Sequence, residues 1–289
     1  MSAAMPLRPT AGATTHRLPS VLTLGLARTR IEVRQFFRER DAVVWIFAYP
    51  IIMLAIFATV FGQGDARVGA TGTFAGIPFG QYFLPGMVAT GVMLSSFQNL
   101  AITIAVERDD STLKRLRGTP LPASAYFLGK IGSVLLTSLV QTALLLLVAA
   151  TVFGIEMPST AQRWITFAWV FALGTAAGAV CGVAFSSVPR TGRSASAVVT
   201  PVVLVLQFIS GVFFGFTQLP GWMQDVSSVF PLKWMAQGMR SVFLPDQFQA
   251  HEVSGSWEHG TTALVIGAYL VLGLVLGART FRWRRRDDG

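Results

Sequence analysis

Six long apolar segments, separated by shorter polar ones, constrain this chain more than any other feature. A helix of about 20 apolar residues can cross the roughly 30 Å hydrocarbon core of a bilayer. Only 13% of the 289 residues are charged, against about 25% in a soluble domain. The sequence therefore predicts an all-α membrane protein with six transmembrane helices. The predicted spans are residues 43–61, 82–105, 131–153, 164–188, 196–216 and 260–278.

The distribution of basic residues predicts the orientation. Six spans place both termini on one side, which then carries 19 of the 23 Lys and Arg residues. The other side carries Arg67, Arg163, Lys233 and Arg240. Basic loops stay in the cytoplasm, so we expect a multi-pass protein of the plasma or inner membrane with cytoplasmic termini. The net charge of +9 then reflects topology and contact with anionic lipids. Nucleic acid binding would need a basic face on a soluble domain.

The chain divides into four regions. Residues 1–20 are rich in Ala, Thr, Pro and Ser and lack the apolar core of a signal peptide, so we expect a disordered tail. Residues 21–41 combine apolar residues at helical spacing with five arginines, which is typical of a helix in the membrane interface. Residues 42–280 form the transmembrane domain, and residues 281–289 form a basic cytoplasmic tail.

The stretch between the second and third spans, residues 107–130, has an unusual charge pattern, with four basic and three acidic residues in its first eleven positions. Leu113 and Leu116 are three residues apart and would share one face of a short helix. Thr119-Pro120 would end that helix, because the residue before a proline avoids the helical region. We expect a short amphipathic helix against the cytoplasmic face, suited to a soluble partner that pushes on the membrane domain. The alternative is a loop whose charges only fix the topology.

Short motifs in this stretch resemble the signature that follows the second membrane helix of ABC type-2 exporter permeases. The motifs are Glu107-Arg108, Ser111-Thr112-Leu113, Arg115-Leu116, Thr119-Pro120-Leu121 and Gly129-Lys130. The family usually has Gly-Thr-Leu where this chain has Ser111-Thr112-Leu113, and a second Glu where it has Asp109. The resemblance is greatest to the daunorubicin-resistance-like drug-export permeases, which implies multidrug efflux or antibiotic resistance.

In that family the segment is a coupling helix that docks on a separate ATPase. The resemblance implies two ATPase copies on two permease copies, or on one copy paired with a similar subunit. This chain would bind no cofactor itself, and ATP and Mg²⁺ would be used by the partner. The interfacial helix would also touch the ATPase. The residues implied in coupling are Glu107, Arg108, Asp109, Thr112, Leu113, Arg115, Leu116, Thr119 and Pro120.

Polar residues in the second and fifth spans are candidates for a substrate path. Ser95, Asn99 and Thr103 are spaced by four and share a helix face, and such side chains normally face the bundle interior or a water-filled cavity. The alternative is hydrogen bonding between helices. In the resembling family the second and fifth helices line the path. The predicted lining is Ser95, Gln98, Asn99, Thr103, Gln207, Phe208, Ser210 and Phe213.

The fourth span contains a doubled GxxxG pattern formed by Gly174, Gly178 and Gly182. Small residues at this spacing allow two helix backbones to approach closely. We expect packing inside the subunit, with a dimer seam as the weaker alternative.

Residues 217–245 are apolar but are interrupted by prolines and charges. A charge at the bilayer centre costs about 2.5–3.5 kcal/mol, so we expect two short helices that dip back from the external face. This segment also resembles the external re-entrant motif of the same family, which implies a gate at Pro220, Trp222 and Pro231. The family usually has Thr-Tyr where this chain has Lys233-Trp234.

The sequence shows no means of using energy by itself. It has no phosphate-binding loop, no His or Cys cluster for a metal or a catalytic site, and no acid or base in the middle of a span. The interpretation is therefore a permease subunit that moves an amphipathic drug-like or lipid-like substrate outward by alternating access. The alternatives are an ion-driven secondary carrier, which should show inverted repeats, and a lipid-modifying enzyme that uses Asp109 and Asp110.

Overall fold

The structure is a computed structural model that describes residues 19–62, 67–70 and 75–281. Most of the predicted N-terminal tail and of the basic C-terminal tail lies outside the described residues. The helices are α1 (Val21–Arg38), α2 (Arg40–Phe61), α3 (Phe79–Met93), α4 (Asn99–Asp109), α5 (Thr112–Arg117), α6 (Ala123–Thr151), α7 (Ala161–Phe185), α8 (Gly192–Ile209), α9 (Gly221–Val229), α10 (Pro231–Phe243) and α11 (His259–Thr280). Two short antiparallel strands, β1 (Arg67–Val68) and β2 (Ile77–Pro78), pair before α3.

Six helices in the described part of the chain are long and apolar enough to cross a membrane. They are α2, the continuous helix formed by α3 and α4, α6, α7, α8 and α11. The prediction of an all-α membrane protein with six spans is therefore confirmed.

Two predicted boundaries are wrong. The third span begins at Ala123 rather than at residue 131, so the last third of the predicted loop forms the first two turns of α6. The fifth span ends at Ile209 rather than at residue 216, because the chain turns at Gly211, whose φ is +69°. An apolar run continues through the turn at Gly211, whereas at the start of α6 Gly129 and Lys130 interrupt the apolar run after the helix has begun.

The second span lies at the centre of the bundle. It runs from Phe79 to Asp109, and in α3 every residue from Gly80 to Met93 is buried. Its neighbours include α2, α6, α7 and α10. A π-helical turn at Leu94–Gln98 interrupts it. There the hydroxyls of Ser95 and Ser96 donate to the carbonyls of Gly91 and Val92, as serine side chains do where a membrane helix widens.

Helix α1 packs along the first half of α6. The approach is close because both helices use glycines at the contact. A Cβ added at Gly129 would lie 2.3 Å from Arg28 Cγ, and one at Gly25 would lie 2.9 Å from Leu128 Cβ. The other side of α1 exposes apolar residues such as Leu22 and Leu26. Such a surface suits the predicted position in the membrane interface.

The segment after the fifth span forms two short helices, α9 and α10, as predicted. Prolines precede or begin each one, since Pro220 is the N-cap of α9 and Pro231 is the first residue of α10. In α10 every residue from Leu232 to Phe243 is buried, because it packs against α3, α7 and α11. It is therefore part of the core of the bundle.

Candidate coupling face and membrane path

Helix α5 is fixed to the membrane helices by one side. Leu113 is fully buried among residues of α4, α6 and α7, and Leu116 packs against the same cluster. The helix follows a sharp turn, because Ser111 has a left-handed φ of 65°. The backbone N–H of Thr112 then donates to Asp110 Oδ1 at 2.9 Å. The apolar side of α5 is thus held against the membrane domain.

The opposite side of α5 is basic and open to solvent. The Arg115 guanidinium donates to the Thr112 hydroxyl at 3.0 Å. The Thr119 hydroxyl donates to the carbonyl of Leu116 at 2.6 Å and closes the last turn. We call the exposed residues of α5 and its C-terminal turn the coupling face. They are Lys114, Arg115, Arg117, Gly118, Thr119 and Pro120.

A buried group of charged side chains joins α1, α4 and α6. Lys130 Nζ lies 2.7 Å from Glu32 Oε2 and 2.5 Å from Glu107 Oε1. Arg28 pairs with Glu32 at 2.5 Å, and the Tyr126 hydroxyl donates to Glu107 Oε2 at 2.7 Å. Two positive charges balance two negative ones. We call these five residues the charged joint.

The charged joint restrains the three helices as one unit. Lys130 is only 2% exposed, so water cannot replace a lost partner. Removal of one member of a buried ion pair leaves the other charge unpaired, which costs about 3–5 kcal/mol. A displacement of α4 that separated Glu107 from Lys130 would carry that cost. We therefore expect α4 to move together with α1 and α6.

The C-terminal end of α4 is also tied to the start of α8. The Arg108 guanidinium donates to the carbonyl of Pro189 at 2.8 Å, in the turn between α7 and α8. Asp109 lies against Gly192, where an added Cβ would be 3.2 Å from Asp109 Cβ. The second and fifth spans are thus linked at the level of α5.

The predicted coupling residues fall into three groups by exposure. Arg115, Thr119 and Pro120 lie on the coupling face, where a docked protein could touch them. Glu107 and Leu113 are buried, so they can only hold the segment in place. The third group is partly buried and consists of Arg108, Asp109, Thr112 and Leu116.

Two of the predicted path residues bind neighbouring helices inside the subunit. Ser95 Oγ lies 2.6 Å from Ser138 Oγ of α6, and both residues are buried. Gln207 Oε1 accepts from the Tyr49 hydroxyl of α2 at 2.9 Å. For this pair the geometry favours hydrogen bonding between helices.

Two others lie just beyond the C-terminal end of α8. Ser210 is fully buried. The Phe213 ring packs beside the stacked rings of Phe57 and Phe83, at centroid distances of 5.8 Å and 6.1 Å. They form part of the packing around the end of the fifth span.

The remaining path residues reach the surface of the subunit. Gln98, Asn99 and Thr103 are partly exposed, and Thr103 Oγ1 lies 3.5 Å from Asn99 Oδ1. Phe208 of α8 is 46% exposed. Helices α4 and α8 pack against each other. These four residues are the ones that a substrate or a second subunit could touch.

The doubled GxxxG pattern is used within the chain. A Cβ at Gly174 would lie 2.8 Å from Met235 Cε of α10, and one at Gly182 would lie 2.7 Å from the carbonyl oxygen of Phe97. Gly178 faces the same part of the second span. The glycines therefore bring α7 close to the second span and to α10.

The predicted external gate residues lie at the ends of α9 and α10. Pro220 and Trp222 are exposed, with Trp222 at 64%, and Pro231 is partly buried. Of the charges in this segment, Asp225 is exposed, whereas Lys233 and Arg240 are buried inside the bundle. Arg240 forms a two-pronged pair with Glu252, at 2.6 Å from Nε to Oε1 and 3.1 Å from Nη2 to Oε2.

Lys233 is accommodated differently. Its Nζ lies 3.3 Å from the centre of the Trp234 ring and 5.2 Å from that of Phe216. A cation over an aromatic face is stabilised by the ring quadrupole. This pairing uses both residues of the Lys233-Trp234 dipeptide.

Residues 25–244 match the family model described as ABC-2 type transporter. The match covers more than half of the chain and includes the charged joint, α5, α9 and α10. The chain belongs to the ABC-2 type transporter family. The recognition made from the motifs of residues 107–130 is confirmed. The protein is a membrane subunit of an ABC transport system, and it is a transport subunit, not an enzyme.

Two relatives are similar to this permease over most of their length. Inner membrane transport permease YadH of Escherichia coli (strain K12) is 24% identical over 216 residues, which cover 74% of this chain and 80% of that protein. Nodulation protein J of Sinorhizobium fredii is 27% identical over 194 residues, which cover 64% and 70%. Together with the six apolar helices, these similarities indicate a multi-pass protein of the inner membrane.

The sequence interpretation missed part of the permease's polar interior. Ser133, Thr137 and Gln141 of α6 are all buried, and the Gln141 amide packs against Gly91 of the second span. Their spacing of four in the third apolar run was the available signal. Glu32 was missed because it is one charge among several in the basic residues 21–41, and nothing local marks it as buried. In the described ranges, no group of three or more His, Cys, Asp or Glu residues could hold a metal.

Proposed function

We propose that this permease is the membrane subunit of an ATP-driven exporter for an amphipathic drug-like or lipid-like compound. Two ATPase subunits dock from the cytoplasm on the coupling faces of two permease subunits. ATP binding closes the ATPases, and their movement switches the path from inward-open to outward-open. The termini lie in the cytoplasm, as the basic residues at that end of the molecule indicate.

The observation that carries this proposal is the attachment of α5. Its basic face is exposed, while Leu113 is fully buried in the membrane domain. The next elements on either side belong to the charged joint, through Glu107 and Lys130. A push on α5 is therefore transmitted to α4, α6 and α1, and through Arg108 to the turn before α8.

The substrate class follows from the residues that remain accessible. Gln98, Asn99 and Thr103 offer hydrogen bonds, and Phe208 offers an exposed ring. A surface with both kinds of group suits a molecule with polar and apolar parts. We propose that these residues line the path where two copies meet.

Reversal of charge on the coupling face tests docking. We expect Arg115→Glu to reduce copurification of the ATPase and substrate-stimulated ATP hydrolysis by about tenfold, as loss of a charged contact worth roughly 1.4 kcal/mol would. The matched control is Arg193→Glu, an exposed arginine at the start of α8. Membrane insertion of both variants should be normal. Unchanged copurification and export in Arg115→Glu would contradict the proposed coupling.

A further inference from the structure

A long apolar groove runs between the second, fourth, fifth and sixth spans. Its volume is about 360 Å³. One wall is the second half of α7, from Ala177 to Val188 just beyond its end, and the other is the second half of α11, from Tyr269 to Thr280. Met93 and Phe97 form its floor, and Val202 and Leu206 of α8 lie along its side.

The groove is as long as one leaflet of a bilayer is thick. Eleven residues separate the ends of each wall, which corresponds to about 16 Å at 1.5 Å per residue. Half of a hydrocarbon core of roughly 30 Å is about 15 Å. The groove begins at the end of the molecule that carries α5, so it spans the leaflet on that side.

The polarity of the groove changes along its length in the same sense as a phospholipid. Its walls are apolar for most of their length, and Ser187 and Thr280 lie at the α5 end. Three exposed arginines adjoin that end in the chain, namely Arg190, Arg193 and Arg279. Basic residues at this depth attract anionic headgroups.

The inner end of the groove is closed by the turn between α9 and α10. Phe230 and Pro231, which form that turn, line the groove beside Met93 and Tyr269. A molecule that filled the groove would touch the deepest point of the external segment. It would therefore support this turn from the opposite leaflet.

We propose that the groove binds one acyl chain of an anionic phospholipid from the leaflet on the α5 side. The chain end lies against Phe230 and Pro231, and the headgroup lies near Arg190 and Arg279. This lipid is a structural ligand, and its site is separate from the path residues of α4 and α8. The proposal goes beyond the export function and does not depend on it.

The test uses the purified full-length permease and phosphatidylglycerol that carries a photoreactive group at the end of one acyl chain. We expect crosslinks to map to Phe230, Pro231, Met93 or Tyr269. Leu276 lines the groove, and Leu276→Trp fills it. In this variant the retention of phosphatidylglycerol in native mass spectrometry should fall about tenfold. This is the effect expected when roughly two methylene groups of the acyl chain lose their contact with the groove.

The matched control is Leu274→Trp. Leu274 is on the opposite side of the same helix and is 54% exposed, so retention should be unchanged. Thermal unfolding checks that both variants are folded, and Ala184→Leu provides a second filling variant from α7. Arg279→Gln should reduce the preference for phosphatidylglycerol over phosphatidylcholine.

Three results would overturn the proposal. Equal lipid retention in wild type, Leu276→Trp and Ala184→Leu would exclude the groove as the site. Crosslinks to a second protein chain would make the groove a subunit interface. Equal retention of phosphatidylcholine and phosphatidylglycerol by the wild-type permease would exclude an anionic headgroup site.

Discussion

Two buried residues of this permease, a lysine and a glycine, have surroundings that tolerate little change of the side chain. Lys130 holds two carboxylates from two other helices, and neither carboxylate can turn to water. Gly182 faces a backbone carbonyl that cannot move aside as a side chain would. Both positions respond to changes of only a few atoms.

Truncation of Lys130 should strongly destabilise the membrane domain. Lys130→Ala leaves Glu107 buried without this positive partner and Glu32 with Arg28 alone, and the expected loss is about 3–5 kcal/mol. The measurement is thermal unfolding of the purified permease in detergent. Lys114→Ala, an exposed lysine of α5, should shift the midpoint by less than a degree or so. Similar midpoints for the two variants would show that the charged joint contributes little.

A methyl group at Gly182 should force α7 away from the second span. The added Cβ would lie 2.7 Å from the carbonyl oxygen of Phe97, so Gly182→Ala should lower the unfolding midpoint. The control is Gly267→Ala in α11, where an added Cβ has no neighbour within 4 Å and alanine favours the helix by about 1 kcal/mol. An unchanged or raised midpoint in Gly182→Ala would mean that the helices can adjust at no cost.

At the scale of elements, α10 is the least expected part of the bundle. It is a short helix flanked by polar segments, yet it lies between the second, fourth and sixth spans. Arg240 anchors it to Glu252 in the segment that follows. The pair compensates for the charge that interrupts this apolar stretch.

Loss of this anchor should loosen α10 selectively. Glu252→Gln leaves Arg240 buried with a neutral partner. We expect the substitution to speed amide hydrogen exchange in residues 231–243 and to leave exchange in α3 unchanged. Asp246→Asn is the control, because Asp246 pairs with Arg163 at an exposed site and such pairs contribute at most about 1 kcal/mol. Unaltered exchange in α10 of Glu252→Gln would show that packing alone holds the helix.

The elements that follow from local chemistry were predictable from the sequence. The six spans follow from hydropathy, and the two leucines three residues apart indicated α5. The start of α6 was misplaced because Gly129 and Lys130 interrupt the apolar run after the helix has begun, and the end of α8 was missed because the apolar run continues through the turn at Gly211. The pairing of Glu32 with Lys130 joins residues 98 positions apart. Such a contact depends on how α1 packs on α6, which no local pattern states.

At the scale of the whole molecule, the basic residues divide the permease into two ends. The end with α5 carries most of them, and the end with α9 and α10 carries few. The orientation of these ends decides whether an ATPase can reach the coupling face.

Cysteine labelling in intact cells should resolve the orientation. With Cys181, the single native cysteine, replaced by serine, we expect Ser159→Cys and Ser254→Cys to react with a membrane-impermeant maleimide from outside. Lys114→Cys should react only after the membrane is permeabilised. All three positions are exposed in the subunit. The reverse labelling pattern would place α5 outside and exclude the proposed docking.

The close packing of α1 on α6 has a consequence for how the chain is made. The surface that α1 needs, around Gly129 and Gly132, is synthesised about 100 residues after α1 itself, a delay of roughly 5–20 s at 5–20 residues per second. During that interval the side of α1 that packs on α6 has no α6 surface to contact. Two spans are therefore synthesised before α1 can pack on α6, and α1 joins the rest of the permease through this contact only after the third span is made.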